Sequence, residues 1–591
     1  MISSIYKNRR NFILIGLTGR IGSGCTTAAR FLSQKKEDHR LKNISIDDLS
    51  NDKTRKKFLL DKFYKENWEP FTTIKASDII ITYILKYNFD DFNNILKNFD
   101  NSVISSQQKE DEQREPLDQR LRFYGKIIEL EQTFKDKYNL AHEKFKNILN
   151  NENMKCDSSK MNKLFILITK DLAEFSLAIR EILSKNSYKN FTDIFQLLGD
   201  NIRLYGDIKL NENDKSAKNI YKISEAIDLF IDIIKFNNSE KELPTLITID
   251  AIRNSLEAMY FKEKYSSFYL LAINADDDDV ENRLLSNQMT QSEIDKQSKK
   301  EHQDKTLDNL ENFVSQNIQD CIAKSDIYLV NNGKIDSDNF LELQGQLIKY
   351  VSLIMHPGLI TPSLDEKMMQ IAHTAKLNSG CISRQVGASV TNSNGSLKSV
   401  GWNSVAEGQT PCLLRSIDDL ECNSKSVAYS SYEQSKTFRN ELLKIQKINK
   451  ESGLNQSFCF KSVYTNYNPK EKGNQVHTRS LHAEENAFLQ LAKYGGEGIK
   501  GGTLYTTASP CELCAKKAYQ LGIKKIIYID PYPGIARKQI LQTGLFPPVI
   551  KLFKGAIGTS YHKLFEQIIP FKDELANLTK LDEKKAINFS K

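Results

Sequence analysis

The stretch TLYTTASPCELC, residues 503–514, has to turn a strand into a helix within a few residues. Thr503 to Thr507 carries the β-branched and aromatic residues that strands favour. Ser509 suits an N-cap, Pro510 the first helical position, and Glu512 the acid of a capping box. The pattern therefore predicts a helix from Pro510, with Cys511 and Cys514 on one face of its first turn. The positive end of the helix dipole lowers thiol pKa there and favours thiolates. The run KKIIYID that follows reads as a second strand, and strand–helix–strand is the unit of a parallel α/β sheet.

Whether these thiols serve a metal or a disulfide depends on the rest of the chain. Nine cysteines are spread over 591 residues. The segment NRRNFILIGLTG imitates a secretory signal, but its apolar run is short and opens into a glycine-rich loop, as a buried first strand does. No run approaches a membrane span. The expectation is a cytoplasmic protein with reduced thiols, in which paired cysteines point to metal. A formal charge of +8 permits a polyanionic partner without demanding one.

Upstream, LHAEENAF (residues 481–488) supplies His482 and Glu484. Two apart, they would diverge inside a helix, so they serve one site only at a helix start that faces it. His482, Cys511 and Cys514 form a three-ligand set that suits zinc, and three protein ligands leave a fourth position open for water, as in catalytic sites. The metal lowers the pKa of such a water. Glu484 is the carboxylate available to move protons between that water and a substrate nitrogen.

With both halves in place, the sequence resembles the zinc-dependent cytidine and deoxycytidylate deaminase superfamily, whose signature is H-x-E followed by P-C-x-x-C. The match is His482-Ala483-Glu484 and Pro510 to Cys514, with the frame extending to IIYIDPYPG. The resemblance implies His482, Cys511 and Cys514 as zinc ligands and Glu484 as proton shuttle. Further upstream, CISRQVGASVTNSNGSLKSVGWNSV resembles the first strand pair of deoxycytidylate deaminases. There the resemblance makes Asn403 a candidate substrate contact, or else a turn residue. Arg384 is a candidate phosphate contact, or else a surface arginine. An insertion of roughly seventy residues with Cys412 and Cys422 departs from the small family members. Those cysteines read as free buried thiols rather than as a second zinc site, because their spacing matches no ligand motif.

A chain of 591 residues exceeds one core, so two domains are expected. The second runs over 351–591, with the prolines and glycine of HPGLITPS as linker. The first, 1–350, is read as a parallel sheet from Phe12 onward, with TLITID, SFYLLAI and DIYLVNNG as later strands. About 86–241 is a helical insertion, carrying LRFYGKIIELEQTF and AIDLFIDIIKF, with polar connections such as NNENMKCDSS.

After the first strand comes Gly19-Arg20-Ile21-Gly22-Ser23-Gly24-Cys25-Thr26-Thr27. The P-loop pattern G-x-x-x-x-G-K-[ST] is met at Gly19, Gly24 and Thr26, while Cys25 stands where the lysine belongs. Gly22, Ser23 and Thr27 complete the expected phosphate cradle, Thr26 is the magnesium candidate, and Asp250 the Walker B acid. Arg20, Arg253 and Arg283 are further basic candidates. The region resembles P-loop nucleotide kinases.

The fusion of such a domain to a deaminase resembles the bacterial anti-phage dCTP deaminases. The resemblance implies deamination of dCTP, dCMP or both to dUTP and dUMP in antiviral defence. The alternatives are a housekeeping dCMP deaminase and an RNA-editing deaminase. Zinc, and a nucleotide with Mg2+ at the P-loop, are the implied cofactors. A homo-oligomer and a regulatory nucleotide or small RNA are the implied partners.

Overall fold

The structure is a computed structural model that describes residues 2–39, 49–96, 131–146, 158–184, 188–287, 289–302, 310–333, 340–422, 426–445, 452–471, 475–495, 498–530 and 536–579. Most of the expected helix LRFYGKIIELEQTF, most of the connection NNENMKCDSS and the PYPG of IIYIDPYPG lie outside the described residues. The chain divides into two compact units, 1–360 with 563–591, and 361–562.

In the first unit the strands are β1 (Phe12–Thr18), β2 (Thr72–Lys75), β3 (Thr245–Asp250), β4 (Phe268–Asn274) and β5 (Ile327–Val330). They pair in the order β5-β4-β1-β3-β2, every pair parallel. β1, β3 and β4 are apolar runs buried almost throughout, the signature of strands covered on both faces. Because all five run the same way, their carboxyl ends share one edge. The loop after β1 lies there, as do Lys75, Asp250 and Asn274. The helical insertion is no separate body. Tyr138, Phe175, Leu198 and Ile202 from its helices join Leu14, Ile74 and Ile247 of the sheet in a single core. The segment AIDLFIDIIKF lies in the helix Lys222–Glu240, which buries Ile227, Phe230, Ile231 and Ile234 in that core.

The end of the chain belongs to the first unit, not to the second as the expected 351–591 boundary has it. A buried polar cluster holds it: Glu574 accepts from the Tyr6 hydroxyl (3.2 Å) and lies 3.0 Å from His356 Nε2, whose ring stacks on Tyr6. The Glu574 carboxylate, met by both Tyr6 and His356, anchors a short helix that propensity alone could not hold.

The second unit is built on a mixed five-stranded sheet in the order β12-β11-β10-β6-β7. Here β6 (Gly387–Thr391) and β7 (Leu397–Trp402) form a hairpin, and β10 (Thr503–Ala508), β11 (Lys525–Asp530) and β12 (Val549–Leu552) run parallel. β8 (Ser404–Val405) and β9 (Ser480–Leu481) pair separately. The helix Ala483–Tyr494 lies so close to β7 that a Cβ on Gly401 would come within 2.2 Å of Ala483 O. Ala483, Ala487 and Phe488 of that helix and Ala515 and Ala518 of the helix Glu512–Gln520 meet Val390, Leu504 and Ile526 of the sheet in one core. Among the described residues no helix is long and apolar enough to cross a membrane.

Candidate metal centre

Two helix starts form the site. β9 ends at Leu481, and His482 is the N-cap of the helix Ala483–Tyr494. That puts His482 and Glu484 around the helix mouth rather than on opposite sides of a helical cylinder. Glu485 accepts from His482 N at 3.4 Å and forms an ion pair with Lys517 of the helix Glu512–Gln520. One carboxylate thereby ties the two helix starts together.

On the other side the expected helix start is corrected by two residues. Cys511, not Ser509, is the N-cap, and the helix begins at Glu512. The reason is tertiary: Ser509 N donates to Asp530 O at 2.8 Å, so the chain stays extended past the end of β10. Cys511 then turns into the helix, its carbonyl accepting from Ala515 N at 2.8 Å. As a result Cys511 Sγ lies 3.3 Å and Cys514 Sγ 3.4 Å from His482 Nδ1. The three donor atoms all fall within 4.8 Å of one another, and among the described residues they form the one such group.

Electrostatics agree with this arrangement. A hydrogen bond from Cys514 pulls the Cys511 thiol down to about 3, against the cost of burial and with help from His482. The same bond, together with burial, pushes Cys514 up. The two sulfurs are hydrogen-bonded to each other, and a cation between them would favour both as thiolates. Two thiolates and an imidazole are the borderline-soft donor set that zinc prefers, so the residues present fit that ion. Glu484 is 4% exposed, and burial raises its carboxyl above the usual range. The Thr506 hydroxyl shares its proton between Glu484 Oε1 (3.2 Å) and Ala508 O (2.8 Å).

The family model of the cytidine and deoxycytidylate deaminase zinc-binding region matches residues 362–530. The deoxycytidylate deaminase of Enterobacteria phage T2 is 30% identical over 170 residues, 28% of this chain and 79% of that protein. This chain belongs to the cytidine and deoxycytidylate deaminase family. The deoxycytidylate deaminase of Enterobacteria phage T4 is likewise 30% identical over 165 residues, 28% of this chain and 77% of that protein. A solved dCMP deaminase from cyanophage S-TIM5, in complex with dCMP and dUMP, is 23% identical over 33% of this chain and 99% of its own, with a TM-score of 0.20.

Within the deaminase region, Asn403 is buried between β7 and β8. Its Oδ1 accepts from Val386 N and its Nδ2 donates to Arg384 O, both at 2.7 Å. Both ends of the amide are engaged in pinning the segment 384–386. The Arg384 guanidinium forms an ion pair with Asp530, a buried acid at the end of β11. Asp530 and Thr506 are site neighbours that sequence reasoning did not single out. The only signal was position: each sits at or near the carboxyl end of a strand that leads into the site.

The insertion has a small core of its own, Ile417, Leu420, Tyr429, Phe438, Leu442, Phe458 and Val463. Arg415 is wholly buried in it, paired with Glu433 and lying over the rings of Tyr429 and Phe458. The two cysteines expected as free buried thiols differ: Cys412 is buried but Cys422 is exposed, and a third cysteine of the insertion, Cys459, is half-buried. Cys422 closes the short helix Ile417–Cys422, whose inner face is taken by Ile417 and Leu420.

Outside the deaminase region, Gly19 to Gly24 lead from β1 to the helix Cys25–Ser33, with Gly22 (φ 82°) and Gly24 (φ 110°) in the left-handed region. Thr26 donates to Asp250, which is buried at the end of β3. Cys25 is buried and its Sγ lies 3.8 Å from Ser23 Oγ. Arg283 donates to Gly22 O, Asn331 O and Gly333 O, so it braces the loop. Arg20, largely covered, pairs with Asp277 at 2.8 Å and donates to Ala275 O at 3.2 Å. Thr27 is half-buried in the first helical turn.

Proposed function

We propose that this chain hydrolyses the exocyclic amine of a deoxycytidine nucleotide, converting dCMP to dUMP and ammonia. The observation that carries this reading is the buried Glu484 carboxyl two residues from His482, whose imidazole meets two thiols. His482, Cys511 and Cys514 would hold zinc, which when bound supplies the Lewis acid that makes water a nucleophile near neutral pH. Glu484 accepts a proton as the water oxygen bonds to C4 of the cytosine. It delivers that proton to ring N3, then takes the remaining hydroxyl proton and passes it to the departing amine as the C4–N bond breaks. Its raised pKa suits a group that must both take and give a proton near neutrality. The Thr506 hydroxyl fixes the rotamer in which the carboxyl does this.

Two further readings belong to the same site. Arg384, paired with Asp530 at the end of β11, is the guanidinium we assign to the 5′-phosphate of the nucleotide. Extension from one phosphate to three would make dCTP a substrate and would let the enzyme deplete the deoxycytidine nucleotide pool as an antiviral defence. The test is to incubate zinc-loaded protein separately with dCMP, dCTP, CMP, CTP and deoxycytidine, following ammonia and the uracil product. Turnover of dCMP that disappears in Glu484→Ala supports the reading. No turnover of any free nucleotide by protein that retains zinc overturns it. Turnover of dCTP at a rate comparable to dCMP supports the depletion role, and rejection of dCTP removes it.

A further inference from the structure

Asp530 is the last residue of β11 and stands in register beside Ala508, the last residue of β10. Its main chain and its side chain do different things. The carbonyl accepts from Ser509 N at 2.8 Å and keeps the chain extended on its way to Cys511. The carboxylate, on a side chain 5% exposed, pairs with Arg384, whose side chain is 40% exposed. One residue therefore holds both the turn that presents a metal ligand and a guanidinium open to solvent.

The main chain around Arg384 is fixed from other directions. Asn403 Nδ2 donates to Arg384 O and Val386 N donates to Asn403 Oδ1, both at 2.7 Å. Gln385 Nε2 donates to Ser379 O and Gly387 N donates to Thr507 Oγ1, both at 3.1 Å. What these bonds leave loose is the arginine side chain. A long side chain loses much rotamer freedom when a ligand orders it, and a partner that holds it beforehand removes that cost from binding. A carboxylate on one edge of the planar guanidinium leaves the N–H donors of the other edge for a phosphate.

An acid beside a phosphate-binding arginine also opposes the phosphate, and a second cation offsets it. Lys376 opens the turn that follows the helix Leu364–Ala375. Its main chain lies so near β6 that a Cβ on Gly387 would come within 2.6 Å of Lys376 N. Burial and the charge of Arg384 both lower the Lys376 pKa, and among the described residues no carboxylate pairs with it. Lys376 and Arg384 thus bring two positive charges against the single negative charge of Asp530.

We propose that Asp530 is a positioning residue for nucleotide recognition: it holds the Arg384 guanidinium ready for the 5′-phosphate, while Lys376 restores the positive charge that Asp530 takes away. This rests on Arg384 being the partner of that phosphate. The consequence is preference for a nucleotide over the free nucleoside, because only the phosphate draws on the arrangement.

Steady-state deamination of dCMP by the zinc-loaded full chain tests it, with Asp530→Asn, Arg384→Gln and the double variant. Asp530→Asn should raise KM roughly tenfold and change kcat less than about threefold. Its zinc content should stay the same, since the carbonyl that holds Ser509 remains. Arg384→Gln should raise KM at least as much. In the double variant the effects should not multiply: without the guanidinium, Asp530→Asn should change KM less than about twofold. Lys376→Gln should raise KM severalfold by itself.

A lower KM in Asp530→Asn would mean that the acid only repels the phosphate, and overturns the proposal. Effects that multiply in the double variant also overturn it, since Asp530 would then support the fold rather than the guanidinium. So does a KM that rises in Arg384→Gln and stays put in Asp530→Asn, although Arg384 then keeps its role. Failure of the underlying reading looks different. Arg384→Gln with an unchanged KM, or no turnover of dCMP by the natural chain, removes the phosphate assignment or the activity, and the proposal with it.

Discussion

The two strand-to-helix turns at residues 18–26 and 508–514 begin from the same local grammar and end in different chemistry. Each follows a buried strand, β1 or β10, and each places a cysteine at a helix start, Cys25 or Cys511. At the first, burial without a cationic hydrogen-bond partner drives the thiol to about 12. At the second, Cys514 and His482 drive it to about 3. A cysteine at a helix start is therefore not a site in itself; what faces it decides. Cys25 faces a carboxylate, Asp250, so its proton stays. Cys511 faces an imidazole and a second thiol, so its proton leaves and a metal can replace it.

The strongest way to break this comparison is at the second turn. Cys511→Ser or Cys514→Ser should abolish zinc retention, measured by metal analysis after gel filtration, and reduce deamination by at least about a thousandfold. Glu484→Gln should lose activity by a similar factor while keeping its zinc. If Glu484→Gln retained most of its activity, the proton-shuttle role would go to another group. Cys25→Ser, by contrast, should change deamination less than about twofold, because its thiol does no chemistry at neutral pH.

A second expectation concerns what holds the insertion. Arg415 and Glu433 are buried in an aromatic box, and Arg415 Nε and Nη1 have no hydrogen-bond partner there. Breaking the pair with Glu433→Gln leaves a guanidinium charge in that box and should cost about 3–5 kcal/mol. It should appear as an early unfolding transition that leaves the zinc signal in place. Loss of zinc in the same step would show that the insertion supports the metal site.

Gly401→Ala should act at intermediate strength. A Cβ there meets Ala483 O at 2.2 Å and Ala487 N at 2.5 Å, both backbone atoms of the helix that His482 caps. Overpacking of this kind costs about 1–3 kcal/mol. Since the helix must move as a unit, zinc affinity should fall with stability, which a chelator competition assay would report.

How much of this was legible in the sequence depends on how far apart the partners are. His482, Glu484, Cys511 and Cys514 announce themselves because each half of the site fits within a few residues and uses donors with few other purposes. The central strands of both sheets were readable for a similar local reason, as apolar runs bounded by turns, whereas the short edge strands β2 and β12 were not. The helix start at Cys511 was misread because Ser509 has good N-cap chemistry, while the bond that keeps it extended comes from Asp530, on another strand. Arg384 and Asn403 were visible as residues, but not what they touch. Asn403 fastens the backbone of Arg384 and Val386, and Arg384 reaches Asp530, pairings that exist only once β6, β7 and β11 share a sheet. The terminal segment escaped for the same reason: nothing near Glu574 in the sequence announces Tyr6 or His356.

The smallest expected effect is also the sharpest test of how the two halves of the metal centre are joined. Glu485 accepts from His482 N and pairs with Lys517, so it connects the helix that presents the imidazole to the helix that presents Cys514. The Lys517 side chain is 43% exposed, and a pair so open to solvent contributes about 0–1 kcal/mol. Lys517→Met should therefore barely move the melting temperature of the zinc-loaded protein. If the pair also fixes the distance between the helix starts before metal arrives, zinc association should slow severalfold in Lys517→Met, and the slowing should fade at high salt, where the natural pair is screened too. Equal association rates at low salt would mean that the shared core of Ala483, Ala487, Ala515 and Ala518 sets the spacing by packing alone.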